Sequence, residues 1–483
     1  MISRFCLFIF ACINLTIAFA QDIPLFTSEF TIKEFADRRS RIYDSIGSNA
    51  IALIQGAPSP VGYVKFRQSN EFYYLCGIEV PHAYLLLNGS SRTATLYLPH
   101  RNAGRERGEG KMLSAEDIDL IKQLSGIDNV YGVDLLSEHL GRFSSGSIHS
   151  VYTLFEPAEG FAVSRDLGIR VNADAMGDPW DQRQSHETRF IEMIKNRFPK
   201  FEIKNLNPIL DKMRLIKSPA EIMLIKKATR LSALALMEAM RSTEPGIKEY
   251  ELDGMAKYIY YRNGSQGDAY YSLIASAENA YYPHYHEGKR TLKDGDLLLM
   301  DYAPDYGYYM SDVTRMMPAN GKFNTWQKEL YGFYLICYKA ILKNIKPGLT
   351  PQNIKKQAVI EMEQALKTSK FSKPIHENAA KAFVESYRKS AENPKSPLGH
   401  WVGMATHDVG GYDGGPLLPG MVFTIEPALT VPEEKIYIRL EDMIIITETG
   451  ADIITSYLPM EIADIEKLMK EEGMLQKYPR DKE

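Results

Sequence analysis

The chain has 483 residues, enough for two domains, and its 45% hydrophobic and 24% charged residues are those of a folded globular protein. With 57 Lys and Arg against 61 Asp and Glu, the formal net charge is -4. No Lys/Arg block or acidic tail stands out, so composition gives no basis for nucleic-acid binding or a polybasic membrane contact.

The opening residues, MISRFCLFIFACINLTIAFA, have Arg4 near the start, an apolar middle and a small-x-small ending at Ala18 and Ala20. This pattern predicts a secretory signal peptide over residues 1–20, cleaved before Gln21, and an exported protein, periplasmic or secreted. The alternative is an uncleaved membrane anchor, for which the apolar core is short. No later run is apolar for long enough to insert stably in a membrane. Of the cysteines, Cys76 and Cys337 remain after cleavage, both in apolar settings, and read as separate buried thiols rather than a disulfide.

Residues 21–206 read as an α/β domain. Thr31 and Glu34 make a capping box for a helix through KEFADRRSRIYDSI. Strand-like runs follow at AIALIQG, EFYYLCG, AYLLLNG and TATLYLP, then a helical SAEDIDLIKQL, then strand candidates near NVYGV and IHSVYTLF. Between Glu156 and His186 the sequence turns polar and Gly/Pro-bearing, which predicts a long irregular insertion. SHETRFIEMIKNRF reads as the last helix of this domain and FEIKNL as its last strand.

Residues 207–483 read as the second domain. Ser218, Pro219 and Glu221 supply an N-cap, a first-turn proline and a capping-box partner. Leu224, Ala228, Leu231 and Ala235 then mark one face of an amphipathic helix. A strand-rich region runs from Ser272 to Met317. Helices are predicted from Trp326 to Lys343 and from Pro351 to Ala365, with Pro347 and Gly348 between them. A further strand-rich block runs from His400 to Ile454, so the order helix then acidic hairpin occurs twice.

These strand-like runs carry an unusual set of acids. Asp301 closes DLLLMDYA, Asp312 lies in YYMSDVTRMM, Glu426 in MVFTIEPAL and Glu441 in IYIRLEDMIIIT, while His400 opens HWVGMATHDVGG. One such Asp alone is more often a turn former or a cap. Four carboxylates in apolar runs are costly without partners, and a shared cation would compensate them. Four carboxylates and one imidazole make an oxygen-rich set with charge for two divalent ions, suited to manganese, with cobalt, iron or zinc as alternatives. Two ions bridged by hydroxide form a hydrolytic device that needs no Ser or Cys nucleophile.

The motifs LMDYAPDYGYYMSDVTRMMPANGKF, LGHWVGMATHDVGGY, LPGMVFTIEPAL and IRLED resemble those of the metal-dependent X-Pro peptidases, aminopeptidase P and prolidase, with methionine aminopeptidase and creatinase as relatives. FRQSNEFYYLCGIEVPHAYLLL extends the resemblance into the first domain. The resemblance implies an α/β N-terminal domain followed by an α+β pita-bread catalytic domain. It implies Asp301, Asp312, His400, Glu426 and Glu441 as ligands of two divalent metal ions, with Mn2+ expected. It also implies His284 and His407 as substrate-side hydrogen-bond donors and Glu426 as a proton shuttle. Arg439, two residues before Glu441, is expected to orient carboxylates or substrate.

Three positions depart from the family pattern: Ser396 stands where many members have His, Ala428 follows the Glu-Pro pair, and Tyr302-Ala303 follows the first Asp. None is a ligand, but Ser396 puts one substrate contact in question. The loop from Asp408 to Gly420 holds no Arg or Lys, whereas prolidases place an Arg there for a dipeptide carboxylate. The expected activity is therefore release of the N-terminal residue from peptides with proline second, by attack of a metal-bridging hydroxide. Prolidase action on X-Pro dipeptides and a non-catalytic pita-bread peptide-binding protein are the alternatives. The oligomeric state stays open, with a homo-oligomer among the options.

Overall fold

The computed structural model describes residues 29–158 and 164–478. The expected signal peptide and its cleavage point lie outside the described residues.

The N-terminal domain is a six-stranded mixed sheet with helices on both faces. Helix α1 (Ile32–Ile46) starts where Thr31 Oγ1 accepts a hydrogen bond from the Glu34 amide at 3.2 Å. Then come β1 (Ala50–Gln55), α2 (Asn70–Cys76), β2 (Tyr84–Asn88), β3 (Thr93–Leu98), α3 (Ala103–Glu109), α4 (Ile118–Ser125), β4 (Asn129–Gly132), α5 (Leu136–Ser145), β5 (Ser150–Thr153), α6 (Arg165–Gly177), α7 (His186–Arg197) and β6 (Glu202–Asn205). The strand order is β4-β3-β2-β1-β5-β6, with antiparallel β1–β2 and β2–β3 and the remaining pairs parallel. Alternation along β1 splits the core. Ala52 and Ile54 face the core shared with the second domain, while Ile51 and Leu53 face a smaller cluster with Phe190 and Ile194 of α7.

Two segments differ from the sequence reading. EFYYLCG, read as a strand, is helix α2, buried along its whole length and ended by Gly77 in the left-handed conformation at φ 69°. A short continuous apolar run suits a buried helix as well as a buried strand, so periodicity alone cannot separate them. The polar stretch after Glu156 is not irregular throughout, because it contains α6, capped where Ser164 Oγ accepts from the Leu167 amide. Its polar, weakly amphipathic sequence hides it. Cys76 and Cys337 are both buried and unpaired with each other.

Helices α8 (Asn207–Leu215) and α9 (Pro219–Ser242) follow. Ser218 and Glu221 close the expected capping box, and Leu224, Ala228, Leu231 and Ala235 are all buried. Each of those leucines contributes about 1.5–3 kcal/mol of burial. Helix α10 (Glu249–Arg262) packs on α9, followed by β7 (Gly267–Asp268), β8 (Leu273–Ser276), β9 (Leu297–Asp301), β10 (Pro304–Asp305) and β11 (Thr314–Pro318). Three long helices come next: α11 (Thr325–Asn344), α12 (Pro351–Thr368) and α13 (Pro374–Glu392). The last was not anticipated from sequence. The closing strands are β12 (Val422–Ile425), β13 (Ala428–Val431), β14 (Ile436–Arg439), β15 (Asp442–Ile446) and β16 (Ala451–Ile453). Two three-stranded antiparallel sheets, β11-β9-β8 and β12-β15-β16, repeat one arrangement. Among the described residues no helix is long and apolar enough to cross a membrane.

Candidate metal centre

Register brings the acids together. In the first sheet Asp301 ends β9 opposite Thr314 of β11, and Asp312 lies two residues before that strand. In the second sheet Ile425 pairs with Asp442, so Glu426 and Glu441 are the residues that leave this pair where both chains turn into the β13–β14 hairpin. His400 sits between Gly399 and Trp401, and Trp401 is bridged to Phe423 of β12. A Cβ on Gly399 would lie 1.9 Å from the Thr424 carbonyl oxygen, so only glycine allows this close approach.

His400 Nε2 lies 3.3 Å from Asp312 Oδ2, 3.2 Å from Glu426 Oε1 and 3.7 Å from Glu441 Oε1. Its Nδ1 lies 3.2 Å from the Trp401 carbonyl oxygen, which fixes the proton there and leaves Nε2 free for the cluster. Asp301, Asp312 and Glu441 each offer one carboxylate oxygen, and these atoms all lie within 4.8 Å of one another. The same holds for His400, Glu426 and Glu441, and for Asp312, His400 and His407. The Tyr270 hydroxyl lies 2.5 Å from Asp301 Oδ1 and 2.7 Å from Asp312 Oδ1. Arg439 pairs with Asp301 and, at 3.1 Å, with Glu426.

Electrostatics shows what this cluster lacks. Burial, partly offset by Arg439 and reinforced by Asp312, raises the Asp301 carboxyl to about 7. Burial and the neighbouring Asp312 and Glu426 push Glu441 well above the usual carboxylate range. Burial also opposes ionisation of Asp312, but the His400 hydrogen bond and charge prevail and bring it to about 2. Glu426 is likewise lowered, with His400 overriding its burial. Burial opposes the charged imidazole of His400, but the hydrogen bonds it gives Asp312 and Glu426, with the Glu441 carboxylate close by, prevail and raise it well above its ordinary value. The protein groups alone must therefore take up protons to relieve mutual repulsion. Glu441 Oε1 is also buried without a hydrogen-bond partner. Divalent cations fit this set, because they would replace those protons and coordinate that oxygen.

Neighbouring side chains hold the acids in place. Thr314 Oγ1 donates to Glu441 Oε2 at 2.8 Å. Arg315, fully buried, donates to the Glu441 carbonyl at 2.8 Å and to Asp442 Oδ1 at 2.6 Å. On α11, Tyr334 Oη accepts from the Leu440 amide at 2.9 Å and donates to the Pro427 carbonyl at 2.6 Å. It thus ties the Glu426 bend to the Glu441 segment. Sequence inspection missed Tyr270, Thr314, Arg315 and Tyr334, whose partners are fixed only by strand register and helix docking.

The two substrate-side histidines stand differently. His407 is exposed, and its ring centroid is 4.1 Å from that of His400. Desolvation by the protein packed around the ring and the charge of His400 lower its pKa, which favours the neutral imidazole. His284 is exposed on the loop after residues 277–281, and its side chain makes no hydrogen bond or ion pair with the cluster. His286 beside it is also exposed and packs on Tyr271.

A family model described as metallopeptidase family M24 matches residues 223–448, and one described as the aminopeptidase P N-terminal domain matches residues 35–152. The Xaa-Pro aminopeptidase of Haemophilus influenzae is 31% identical over 456 residues, covering 90% of this chain and 97% of that protein. The chain belongs to metallopeptidase family M24, in its aminopeptidase P group. The Xaa-Pro aminopeptidase of Escherichia coli is 30% identical over 465 residues, 92% of this chain and 98% of its own length. A solved structure of zinc-substituted E. coli aminopeptidase P with product matches at TM-score 0.72 and 28% identity, over 92% of this chain and 99% of that one. The second domain is thus a pita-bread domain, and the chain is a metal-dependent aminopeptidase.

Proposed function

We propose that this M24 aminopeptidase releases the N-terminal residue from peptides with proline in the second position, using two divalent ions held by Asp301, Asp312, His400, Glu426 and Glu441. The convergence of these five side chains carries the reading. Manganese is the ion we favour, because the donors are mostly hard carboxylate oxygens. When bound, the ions would supply an ionised water at neutral pH and polarise the scissile carbonyl.

The protein groups do the rest. Glu426, kept ionised by His400, takes the proton of the attacking water and passes it to the leaving proline nitrogen. Neutral His407 donates a hydrogen bond to the oxyanion of the tetrahedral intermediate, and His284 donates one to the substrate carbonyl. Arg439 bridges Asp301 and Glu426 and keeps both carboxylates aimed into the site. We further propose a boundary near Leu206 between the two domains, removal of residues 1–20, and export of the mature protein. N-terminal sequencing of the natural protein tests the last two, and a chain starting at Met1 would contradict them.

The loop from Asp408 to Gly420 carries no Arg or Lys to hold a dipeptide carboxylate. Side-by-side kcat/KM on an X-Pro dipeptide and an X-Pro-X tripeptide tests this reading. The tripeptide should be the better substrate, and faster dipeptide cleavage would move the chain to prolidase action.

A further inference from the structure

Among the buried ionisable side chains outside the metal cluster, one group of four has no part in the reaction as described above. They are Glu71, Arg214, Lys217 and Asp408, with 2%, 1%, 1% and 1% of the side chain exposed. Glu71 lies on α2 of the N-terminal domain, whereas Asp408 directly follows His407. Arg214 Nη1 donates to Glu71 Oε1 at 2.9 Å and its Nη2 to Asp408 Oδ1 at 2.5 Å. Lys217 Nζ donates to Asp408 Oδ2 at 3.0 Å. A continuous ionic path therefore runs from the first domain to the residue beside His407.

A second path leaves the same carboxylate oxygen. Arg165 Nη2 donates to Glu71 Oε1 at 2.8 Å, and its Nη1 holds Asp211 with both oxygens at 2.8 Å. Arg165 opens α6, and the preceding residue, Ser164, forms a parallel β-bridge with His407 itself. Glu71 thus reaches the His407 backbone from both sides. The loop between is equally tied down. Asn70 Nδ2 donates to the Met404 carbonyl at 3.0 Å, the Met310 amide to the Gly403 carbonyl at 2.8 Å, and the Asp408 amide to the Trp401 carbonyl at 2.8 Å. A Cβ on Gly403 would lie 2.1 Å from Asp408 Oδ2, so the carboxylate packs directly against this turn.

Buried ion pairs contribute little net stability, because desolvation cancels most of their attraction. A cluster of six charges whose paths end on either side of His407 is better explained by the geometry it sets. We propose that Glu71 is a positioning residue for His407, acting through Arg214 and Asp408 on one side and Arg165 and Ser164 on the other. The N-terminal domain thereby sets the place of a group that acts in the catalytic domain. This inference rests on the donor role given to His407 above.

A double-mutant cycle on the metal-loaded full chain tests it, with an X-Pro-X tripeptide as substrate. Glu71→Gln removes the hub charge. Arg165→Lys, at the more exposed end of the cluster, probes the same path with less risk to folding. Each should lower kcat on the order of ten- to a hundredfold, the scale of an ångström-level misplacement, with KM and bound metal unchanged. Neither should lower kcat further in a His407→Ala background, and Glu71→Asp should recover part of the loss. Equal losses with and without His407 would overturn the inference and leave the cluster as ordinary domain packing. No loss from Arg165→Lys in a folded variant would overturn it as well. Full kcat in His407→Ala alone would instead remove the donor role, and the inference with it.

Discussion

Asp301, Asp312, Glu426 and Glu441 lie at the ends of paired strands or next to them, whereas His284 and His407 lie on loops outside the regular elements. The acids are held by register, by Tyr270, by Thr314 and Arg315, and by Tyr334 on a buried helix. The histidines are exposed, and His407 depends on contacts that come from the other domain. Groups that must hold a charge in a fixed place are thus built into the sheets. Groups that must meet a substrate are carried on segments that water and peptides can reach. If that division is right, substitutions in the two sets should fail in different ways.

The largest effect should come from the sheet-borne set. Removing an outer-sphere partner of a metal ligand costs about 10–100-fold, so Glu441→Ala should lower kcat/KM by more than about 100-fold at limiting metal. Metal content measured on the purified variant should fall with it, and a variant that keeps both ions would remove Glu441 from the ligand set. His407→Ala should behave differently. Its loss should fall on kcat, about 10²–10³-fold as for an oxyanion-hole donor, with the metal retained. A loss of metal in that variant would erase the distinction between the two sets.

Much of this arrangement was legible before folding. The Ser218–Glu221 capping box, the buried face through Leu224 and Leu231, and the acids at the ends of apolar runs all depend on local sequence. What was not legible depends on partners far along the chain. The α2 run reads as a strand because FYYLC is a short unbroken apolar stretch, and its burial cannot be seen locally. Tyr270 looks like any tyrosine until the pairing of Leu273 with Asp301 brings its hydroxyl to the carboxylates. Glu71, Arg165, Arg214 and Asp408 are ordinary charges in sequence, and only domain docking makes them one cluster.

Smaller changes sharpen the comparison. Tyr270→Phe removes a hydrogen bond to Asp301 and Asp312 but no ligand, so it should weaken metal binding by about tenfold and leave KM nearly unchanged. A titration of metal into the chelated variant reads this directly. An unchanged affinity would mean that the acids need no help from the phenol.

The pH dependence follows from the raised groups. Asp301 at about 7, with Glu441 and His400 well above their ordinary values, holds protons near neutrality that a cation must displace. Metal binding at pH 7 should therefore release protons, and affinity should weaken as pH falls below about 7. Calorimetry in buffers of different ionisation enthalpy measures the release. A buffer-independent enthalpy would contradict the protonation assigned to the metal-free cluster.

One measurement bears most directly on the account: hydrolysis of an X-Pro-X tripeptide after exhaustive chelation, followed by stepwise return of Mn2+. Activity should vanish on chelation, return as the ions are restored, and saturate near two per chain. Full activity in the chelated protein would contradict the metal-dependent mechanism at its root.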